Sequence, residues 1–208
     1  MKTIILGSGN GTNCQALLDA FSAGLLGPTE LVAVFSDRQN SGILKCAEKA
    51  GIHSSYLGKY PPIQESESSQ FINEEDHWIS AIKSKQPDLI VLAGFMKIVS
   101  QRFIDSFNSN IINLHPSLLP CFRGLDAIKQ AWDAGVKITG CTVHWVSSEL
   151  DGGPIIAQAP VRIMSSDTIE STTAKVHAAE HMLLPSVVAD IAHTCLLYTS
   201  DAADEEDS

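Results

Sequence analysis

The residues with the clearest capacity for chemistry are an amide and an imidazole, Asn113 and His115, two positions apart in an apolar run. This run starts at Ile111 and favours a strand, in which side chains two positions apart share one face. Pro116 then ends the strand, because proline has no N–H to donate to a neighbouring strand. At a strand end, an amide and an imidazole can stabilise developing negative charge and transfer a proton. The structural alternative, a capping asparagine beside a hydrogen-bonded histidine, stays open on these residues alone.

A second candidate is the glycine-rich segment 7–13, Gly-Ser-Gly-Asn-Gly-Thr-Asn, which follows a short apolar strand from Thr3 to Leu6. Apolar residues at helical spacing come next, so the pattern predicts a strand, a tight turn and a helix. Free backbone N–H groups at the start of that helix favour an anion, above all phosphate. A dinucleotide fingerprint would need glycine at position 12, which is Thr12, and Gly11 comes one residue early. An ordinary tight turn is the alternative interpretation.

A third candidate is Asp151, in the turn Leu-Asp-Gly-Gly-Pro at positions 150–154. The run before it, Thr139 to Val146, predicts a strand that carries His144 on one face with its neighbours two positions away. A carboxylate delivered by such a turn can orient an imidazole and favour its charged form. A plain turn carboxylate is the alternative for Asp151.

Strands and helices alternate along the chain, and this order predicts the scaffold that positions the three candidates. Near-continuous apolar runs at Leu31 to Phe35 and Asp88 to Ala93 are typical of parallel strands buried on both faces. Segments with apolar residues at helical spacing lie between the strands, and a long amphipathic helix is predicted from Thr168 to Ile191. We therefore expect an α/β domain with a doubly wound, mostly parallel sheet. Residues 58–76 are predicted to be a mobile loop running into a helix. Asp37 is predicted to be a solvated loop carboxylate, with contact to a ribose as the alternative.

Composition and charge restrict the class of protein. The chain has 208 residues, of which 44% are hydrophobic and 18% charged, and this suits one folded domain. A formal net charge of −10 argues against a nucleic-acid partner. Five scattered cysteines without a C-x-x-C pair indicate neither a zinc site nor a disulfide framework. No signal peptide or membrane-spanning stretch is visible, so we expect a cytoplasmic protein.

The end of the chain differs in character from the rest. Residues 195–208 have no apolar period and finish in a run of carboxylates. We expect this segment to be a disordered acidic tail or a sequence scar, following a domain of residues 1–194.

Four segments, taken in order, resemble the folate-dependent formyltransferase family. They are Ser-Gly-Asn-Gly-Thr-Asn at 8–13, Ala-Gly-Phe-Met at 93–96, Asn-Leu-His-Pro-Ser-Leu-Leu-Pro at 113–120 and Leu-Asp-Gly-Gly-Pro at 150–154. The first segment favours the branch that formylates glycinamide ribonucleotide. The resemblance implies a single-domain, Rossmann-like formyltransferase fold. It also implies formyl transfer from 10-formyltetrahydrofolate, as co-substrate, to the amine of glycinamide ribonucleotide in purine biosynthesis, without a metal. The implied partners are these two small molecules, with no nucleic acid or membrane, in a monomer or homodimer.

The resemblance also implies roles for individual side chains. The implied catalytic residues, which assist direct attack by the substrate amine, are Asn113, His115 and Asp151. The implied contacts of the ribonucleotide are Gly11, Thr12 and Asn13 at its phosphate and Glu180 at its sugar. The implied lining of the folate pocket is Met96, Lys97, Ile98, Val99 and Asn113.

This chain departs from the family's pattern at two places in the folate region. Relatives often have arginine where this chain has Lys97, and residues 61–76 contain no Arg or Lys to contact the folate. Three other functions are alternatives. A nicotinamide-dependent dehydrogenase is disfavoured by the misplaced third glycine, and a catalytically silent nucleotide-binding module by the intact amide, imidazole and carboxylate. A formyltetrahydrofolate hydrolase, with water as the acceptor, is the closest rival.

Overall fold

A single twisted sheet forms the centre of the molecule in the computed structural model, which describes residues 1–62 and 69–204, the last ten by backbone alone. Its strands are β1 Lys2–Leu6, β2 Glu30–Ser36, β3 Ser54–Tyr56, β4 Leu89–Leu92, β5 Ile111–His115, β6 Ile138–Trp145 and β7 Ile155–Arg162. Their spatial order is β3-β2-β1-β4-β5-β6-β7, and β1 to β5 pair in parallel. The predicted doubly wound, mostly parallel sheet is therefore confirmed.

Among the described residues, six helices cover the sheet. They are α1 Thr12–Ser22, α2 Gly42–Lys49, α3 Ser69–Lys83, α4 Gln101–Asp105, α5 Ala127–Asp133 and α6 Ile169–Asp204. The helices pack against opposite faces of the sheet. Ile5 belongs to a buried cluster with residues of α1, α2 and α6, whereas its neighbour Ile4 belongs to a cluster with residues of α3 and α4. Successive strand residues point to opposite faces, so each cluster lies on one side of the sheet.

The strand order reverses around β1, which has β2 on one side and β4 on the other. In open α/β sheets the crevice at such a reversal, outside the carboxyl ends of the strands, is where ligands bind. The glycine-rich segment 7–13 follows β1, and segment 93–99 follows β4. The topology therefore brings these two loops to one edge of the sheet, beside the end of β5.

One of the two antiparallel strands at the other side of the sheet, β7, extends further than expected. β7 runs for eight residues, Ile155–Arg162, although the sequence predicts only Ile155 to Ala157 as a strand. It pairs with β6 from Ile138 to His144. Pro160 lies within β7, which is possible because β7 is an edge strand with one unpaired side.

Residues 58–76 are predicted to be a mobile loop running into a helix; the helix is confirmed as α3, whereas the mobile loop is wrong at its described start. Tyr60 is 2% exposed, packs against Trp78 with 5.4 Å between ring centroids, and donates its hydroxyl to Glu75 Oε1 at 2.6 Å. α3 already begins at Ser69, and residues 63–68 lie outside the described residues. The aromatic contacts and the hydroxyl–carboxylate hydrogen bond hold Tyr60 in the core, which the Pro-, Ser- and Glu-rich composition of this segment does not predict.

The predicted tail also differs where its backbone is described. α6 continues from Ile169 to Asp204, whereas the sequence pattern predicts disorder from residue 195. Neither glycine nor proline occurs between Ser186 and Asp204 to stop the helix. Residues 205–208 lie outside the described residues, and the domain boundary at 194 stays a prediction.

Within residues 1–62 and 69–204, no helix combines the length and apolar character needed to cross a lipid bilayer.

Candidate active site

Asn113 and His115 lie on one face of β5, as predicted. The intervening Leu114, like Ile112, points into the cluster beneath α1, α2 and α6, so the amide and the imidazole point the other way. Asp151 contacts both of them. Its Oδ1 is 3.5 Å from Asn113 Nδ2, and its Oδ2 is 3.4 Å from His115 Nδ1. The fold therefore gathers the three residues with catalytic potential around one carboxylate.

The turn between β6 and β7 delivers Asp151 to this position. Asp151 itself has a φ of 48°, in the left-handed region that aspartate tolerates better than most residues. Gly153 makes the turn possible, since a Cβ there would lie 1.8 Å from the Trp145 carbonyl oxygen. The Asp151 side chain is 8% exposed, and its Oδ2 accepts the backbone N–H of Gly124 at 2.8 Å. A buried, hydrogen-bonded carboxylate of this kind has a fixed orientation.

His115 has an oxygen atom opposite each of its ring nitrogens. Nε2 is 2.9 Å from the carbonyl oxygen of Phe122, and Nδ1 faces Asp151. Both partners accept hydrogen bonds, so an imidazole protonated on both nitrogens can donate to each of them. These two acceptors hold the ring of His115 from opposite sides.

His144 is a member of this site that sequence reasoning missed. β5 and β6 pair antiparallel, with Asn113 opposite His144, and His144 is 2% exposed. Its Nε2 is 3.2 Å from Asn113 Nδ2 and 3.7 Å from Asp151 Oδ1, and its Nδ1 is 2.9 Å from the Trp145 carbonyl oxygen. Burial lowers the pKa of His144 below its ordinary value of 6.5. The alternation of β6 placed His144 on a face, but only the strand register shows that it meets Asn113.

A cleft with a volume of about 100 Å³ opens onto these residues. Its lining includes Lys97, Ile98 and Val99, which follow β4, together with Asn113 and Asp151. Its remaining lining is Leu92, Phe95, His144, Val146, Ser147, Ser148, Glu149 and Leu150. This mixture of apolar and polar side chains suits a ligand that combines a partly apolar ring system with polar groups.

Met96 takes a different position from its three neighbours. Met96 is not among the described residues that line the cleft, and the residue is 57% exposed. Its backbone N–H donates to Ser8 Oγ at 2.9 Å, and this bond ties the segment after β4 to the glycine-rich segment. Met96 therefore contributes backbone, not side chain, to the edge of the site.

Lys97 connects the cleft to a buried carboxylate. Its Nζ is 4.0 Å from Oδ2 of Asp37, whose side chain is only 4% exposed. The prediction that Asp37 is a solvated loop carboxylate is therefore wrong. Asp37 directly follows β2 at the crowded carboxyl edge of the sheet, where the loops after three parallel strands meet.

The glycine-rich segment forms the tight turn that the sequence predicts. Gly11 caps α1 with a φ of 83°, and its carbonyl oxygen accepts the Gln15 N–H at 2.8 Å. A Cβ on Gly11 would lie 2.7 Å from Ile43 Cα, because the turn packs directly against the start of α2. Thr12 and Asn13 begin α1, so their N–H groups belong to the first turn, which has no partners within the helix. This geometry leaves backbone donors for an anion.

Glu180 on α6 lies beside that first turn. Its Oε2 accepts a hydrogen bond from Asn13 Nδ2 at 3.0 Å, and the residue is 4% exposed. Burial raises the pKa of Glu180 above its ordinary value of 4.5. The structure thus brings together the two parts of the chain for which ribonucleotide contacts are expected.

Comparison with known proteins places the whole chain among formyl-transferring enzymes. The family model described as formyl transferase matches residues 1–188. Phosphoribosylglycinamide formyltransferase of Escherichia coli (strain K12) is 37% identical over 205 residues, covering 98% of this chain and 92% of the relative.

Solved structures agree with this similarity. Phosphoribosylglycinamide formyltransferase from Brucella melitensis is 42% identical, with a TM-score of 0.82 and coverage of 92% of this chain and 95% of that one. Glycinamide ribonucleotide transformylase 1 from Symbiobacterium toebii is 36% identical, with a TM-score of 0.84 and coverage of 93% and 88%.

Proposed function

The chain belongs to the formyl transferase family, and we propose that its cleft carries out formyl transfer with Asn113, His115 and Asp151 as catalytic residues. The activity is that of a phosphoribosylglycinamide formyltransferase, which moves the formyl group of 10-formyltetrahydrofolate to the amine of glycinamide ribonucleotide in purine (IMP) biosynthesis. The observation that carries the site assignment is the contact of one carboxylate, Asp151, with both Asn113 and His115.

The reaction determines what the site must supply. An amine that attacks a formyl carbon creates a negative oxygen and a positive nitrogen, so the site needs hydrogen-bond donors for the first and a proton path from the second. Asn113 Nδ2 and His115 Nδ1 are the two donors. Their contacts with Asp151, at 3.5 and 3.4 Å, are longer than ordinary hydrogen bonds. An oxyanion placed between them can therefore recruit both donors at small cost.

Asp151 has two functions in this scheme. Its negative charge favours the doubly protonated ring of His115 and holds that ring in place. The same carboxylate can help to take up the proton that the attacking amine loses, directly or through a water molecule. Among the described residues, no group of three or more His, Cys, Asp or Glu side chains is arranged to bind a metal ion.

The two substrates would approach from adjacent loops. Lys97, Ile98 and Val99 would pack on the folate in the cleft, with the backbone of Met96 at its edge. Gly11, Thr12 and Asn13 would bind the phosphate through backbone N–H groups. Glu180 would accept hydrogen bonds from the sugar hydroxyls. The Ser8–Met96 hydrogen bond joins the two loops, so this arrangement would bring the amine and the formyl group to the end of β5.

We also propose a cytoplasmic enzyme. Cys14, Cys46, Cys121 and Cys141 are free thiols, as is usual in a reducing compartment. A monomer or a homodimer stays the prediction for the oligomeric state.

Formyl transfer is tested by incubating the purified protein with 10-formyltetrahydrofolate, with glycinamide ribonucleotide present or omitted. We expect tetrahydrofolate to form only when the ribonucleotide is present, together with one equivalent of the formylated ribonucleotide. Equal turnover without the ribonucleotide would make the protein a hydrolase with water as the acceptor. Binding of the ribonucleotide without turnover of the folate would instead indicate a silent binding module.

A further inference from the structure

A buried imidazole beside the catalytic residues is not used by the mechanism above. His144 is 2% exposed, and its ring lies against both Asn113 and Asp151. We infer that His144 is a positioning residue, which sets the orientation of the Asn113 amide so that its N–H groups point toward the reacting oxygen. This inference rests on the proposed role of Asn113 as an oxyanion donor.

The hydrogen-bond partners of His144 determine which nitrogen carries a proton. The Trp145 carbonyl oxygen, 2.9 Å from Nδ1, can only accept a hydrogen bond, so Nδ1 is the protonated nitrogen. In a neutral ring, Nε2 then presents a lone pair. Nε2 faces Asn113 at 3.2 Å and accepts a hydrogen bond from its Nδ2.

This acceptor settles how the Asn113 amide is turned. If the amide were flipped, its oxygen would face the Nε2 lone pair and the Asp151 carboxylate, and both contacts would be repulsive. With its nitrogen on that side, Asn113 donates to both neighbours. The bond to His144 is the shorter of the two and the bond to Asp151, at 3.5 Å, is the weaker. The second N–H is therefore the one that is free to move to an oxyanion while His144 holds the first.

The two histidines of the site consequently have different hydrogen-bond partners. His115 faces two oxygen acceptors, whereas His144 faces one acceptor and one donor. Burial keeps His144 neutral by lowering its pKa, and the charges of His115 and Arg123 act in the same direction. The Trp145 carbonyl and Asp151 oppose this shift without reversing it.

Protonation of His144 would remove this control. A doubly protonated ring would present an N–H at Nε2 to the N–H of Asn113, which would push the amide away or flip it. Turnover should therefore fall as the pH drops through the lowered pKa of His144, below its ordinary value of 6.5. This loss belongs to kcat, because it affects a donor that acts on the transition state.

The test uses two substitutions of different chemistry and one control. His144→Leu removes the acceptor, whereas the side-chain oxygen of His144→Gln can accept from Asn113 near the position of Nε2. His53→Gln is the control, since His53 packs edge-on against Phe35 at 6.1 Å on the far side of the sheet order, beside β3. We expect His144→Leu to lower kcat by about 10- to 100-fold with little change in either KM. His144→Gln should recover most of kcat, and its kcat should no longer decrease at acidic pH through protonation of residue 144. His53→Gln should behave as wild type.

A double variant shows whether His144 acts through Asn113. Asn113→Ala combined with His144→Leu should have the kcat of Asn113→Ala alone, because the group that His144 positions is already absent. Multiplied losses in that double variant, or wild-type kcat in His144→Leu, would overturn the inference. If His144→Leu does not fold, a His144→Gln variant that folds but has lost kcat by more than about 10-fold would overturn it too. A wild-type protein without ribonucleotide-dependent turnover is a different result, since it contradicts the proposed function itself.

Discussion

The side-chain amide of Asn13 donates to Oε2 of Glu180 at 3.0 Å, a contact between residues 167 positions apart. It connects the first turn of α1, where a phosphate is expected, to a carboxylate on α6 that is 4% exposed. Burying a carboxylate is costly unless its charge is used. The proposed contact with sugar hydroxyls, beside the turn where a phosphate is expected, would use this charge.

Replacing Glu180 with glutamine should separate stability from binding. The pKa of Glu180 is raised by burial, so the folded chain binds this proton more tightly than the unfolded chain does. Stability contributed by the protonated form is therefore present at pH 4 and is lost as the pH rises from 4.5 through the raised value. Glu180→Gln avoids this loss, so the melting temperature of the variant minus that of wild type should increase from pH 4 to pH 8.

The same variant should bind the ribonucleotide less well. Loss of a charged acceptor should raise KM for glycinamide ribonucleotide by about 10-fold, with KM for the folate unchanged. Glu48→Gln is the control, because Glu48 is exposed on α2. An unchanged KM for the ribonucleotide, or a melting difference independent of pH, would contradict the role given to Glu180.

The glycine-rich turn allows a matched pair of substitutions. Gly11→Ala puts a Cβ 2.7 Å from Ile43 Cα at a φ of 83°, whereas a Cβ on Gly9 meets nothing within 4 Å. Gly11→Ala should raise KM for the ribonucleotide by about 10-fold, which corresponds to roughly 1.4 kcal/mol. Its KM for the folate should change much less, and Gly9→Ala should resemble wild type. Equal changes in both KM values for Gly11→Ala would argue against a phosphate site at this turn.

Lys97 takes part in two interactions that a double variant can separate. It lines the folate cleft, and its ammonium group is 4.0 Å from the buried Asp37 carboxylate. Lys97→Met should raise KM for 10-formyltetrahydrofolate and destabilise the fold by about 1 kcal/mol, since Asp37 loses its partner. Adding Asp37→Asn should recover the stability but not KM, as measured by urea unfolding and steady-state kinetics. Recovery of both together would mean that Lys97 acts on the folate only through the fold.

Much of the site could be predicted from local sequence, because strand periodicity is a local property. The spacing of Asn113 and His115 placed them on one face of a strand, and Pro116 marked its end. The glycines at 152 and 153 predicted the turn that carries Asp151. Apolar runs with intervening helices were sufficient for a parallel, doubly wound sheet.

Contacts that depend on register and on packing between distant segments could not be predicted in this way. His144 meets Asn113 because β5 and β6 run antiparallel, and nothing in either strand specifies that register. Asp37 has the appearance of a loop carboxylate, but its side chain is only 4% exposed and lies 4.0 Å from Lys97, which is 60 positions away in the loop after β4. Tyr60 is buried through an aromatic cluster whose members are contributed by α3, α4 and the loop after β4.

Single substitutions should distinguish the roles within the catalytic trio. Asn113→Ala removes one oxyanion donor and should lower kcat by about 10²–10³-fold with little change in the shape of the pH profile. His115→Ala removes a donor and a proton-transfer group, and about 10²–10⁴-fold is expected. Asp151→Asn keeps the shape but loses the charge beside His115, so kcat should fall and the pH profile should change. The measurement is steady-state kinetics across pH. If Asn113→Ala and Asp151→Asn changed the pH profile in the same way, these assignments would be wrong.

The measurement that tests the central claim most directly is kcat of the His115→Ala/Asp151→Asn double variant beside its two single variants. Asp151 acts through its contact with His115, at 3.4 Å between Oδ2 and Nδ1, so the two residues should work as one unit. The double variant should then be within about three-fold of its poorer single variant, because losses from residues that act together do not multiply. Fully multiplied losses, or near-normal turnover in His115→Ala, would contradict the mechanism.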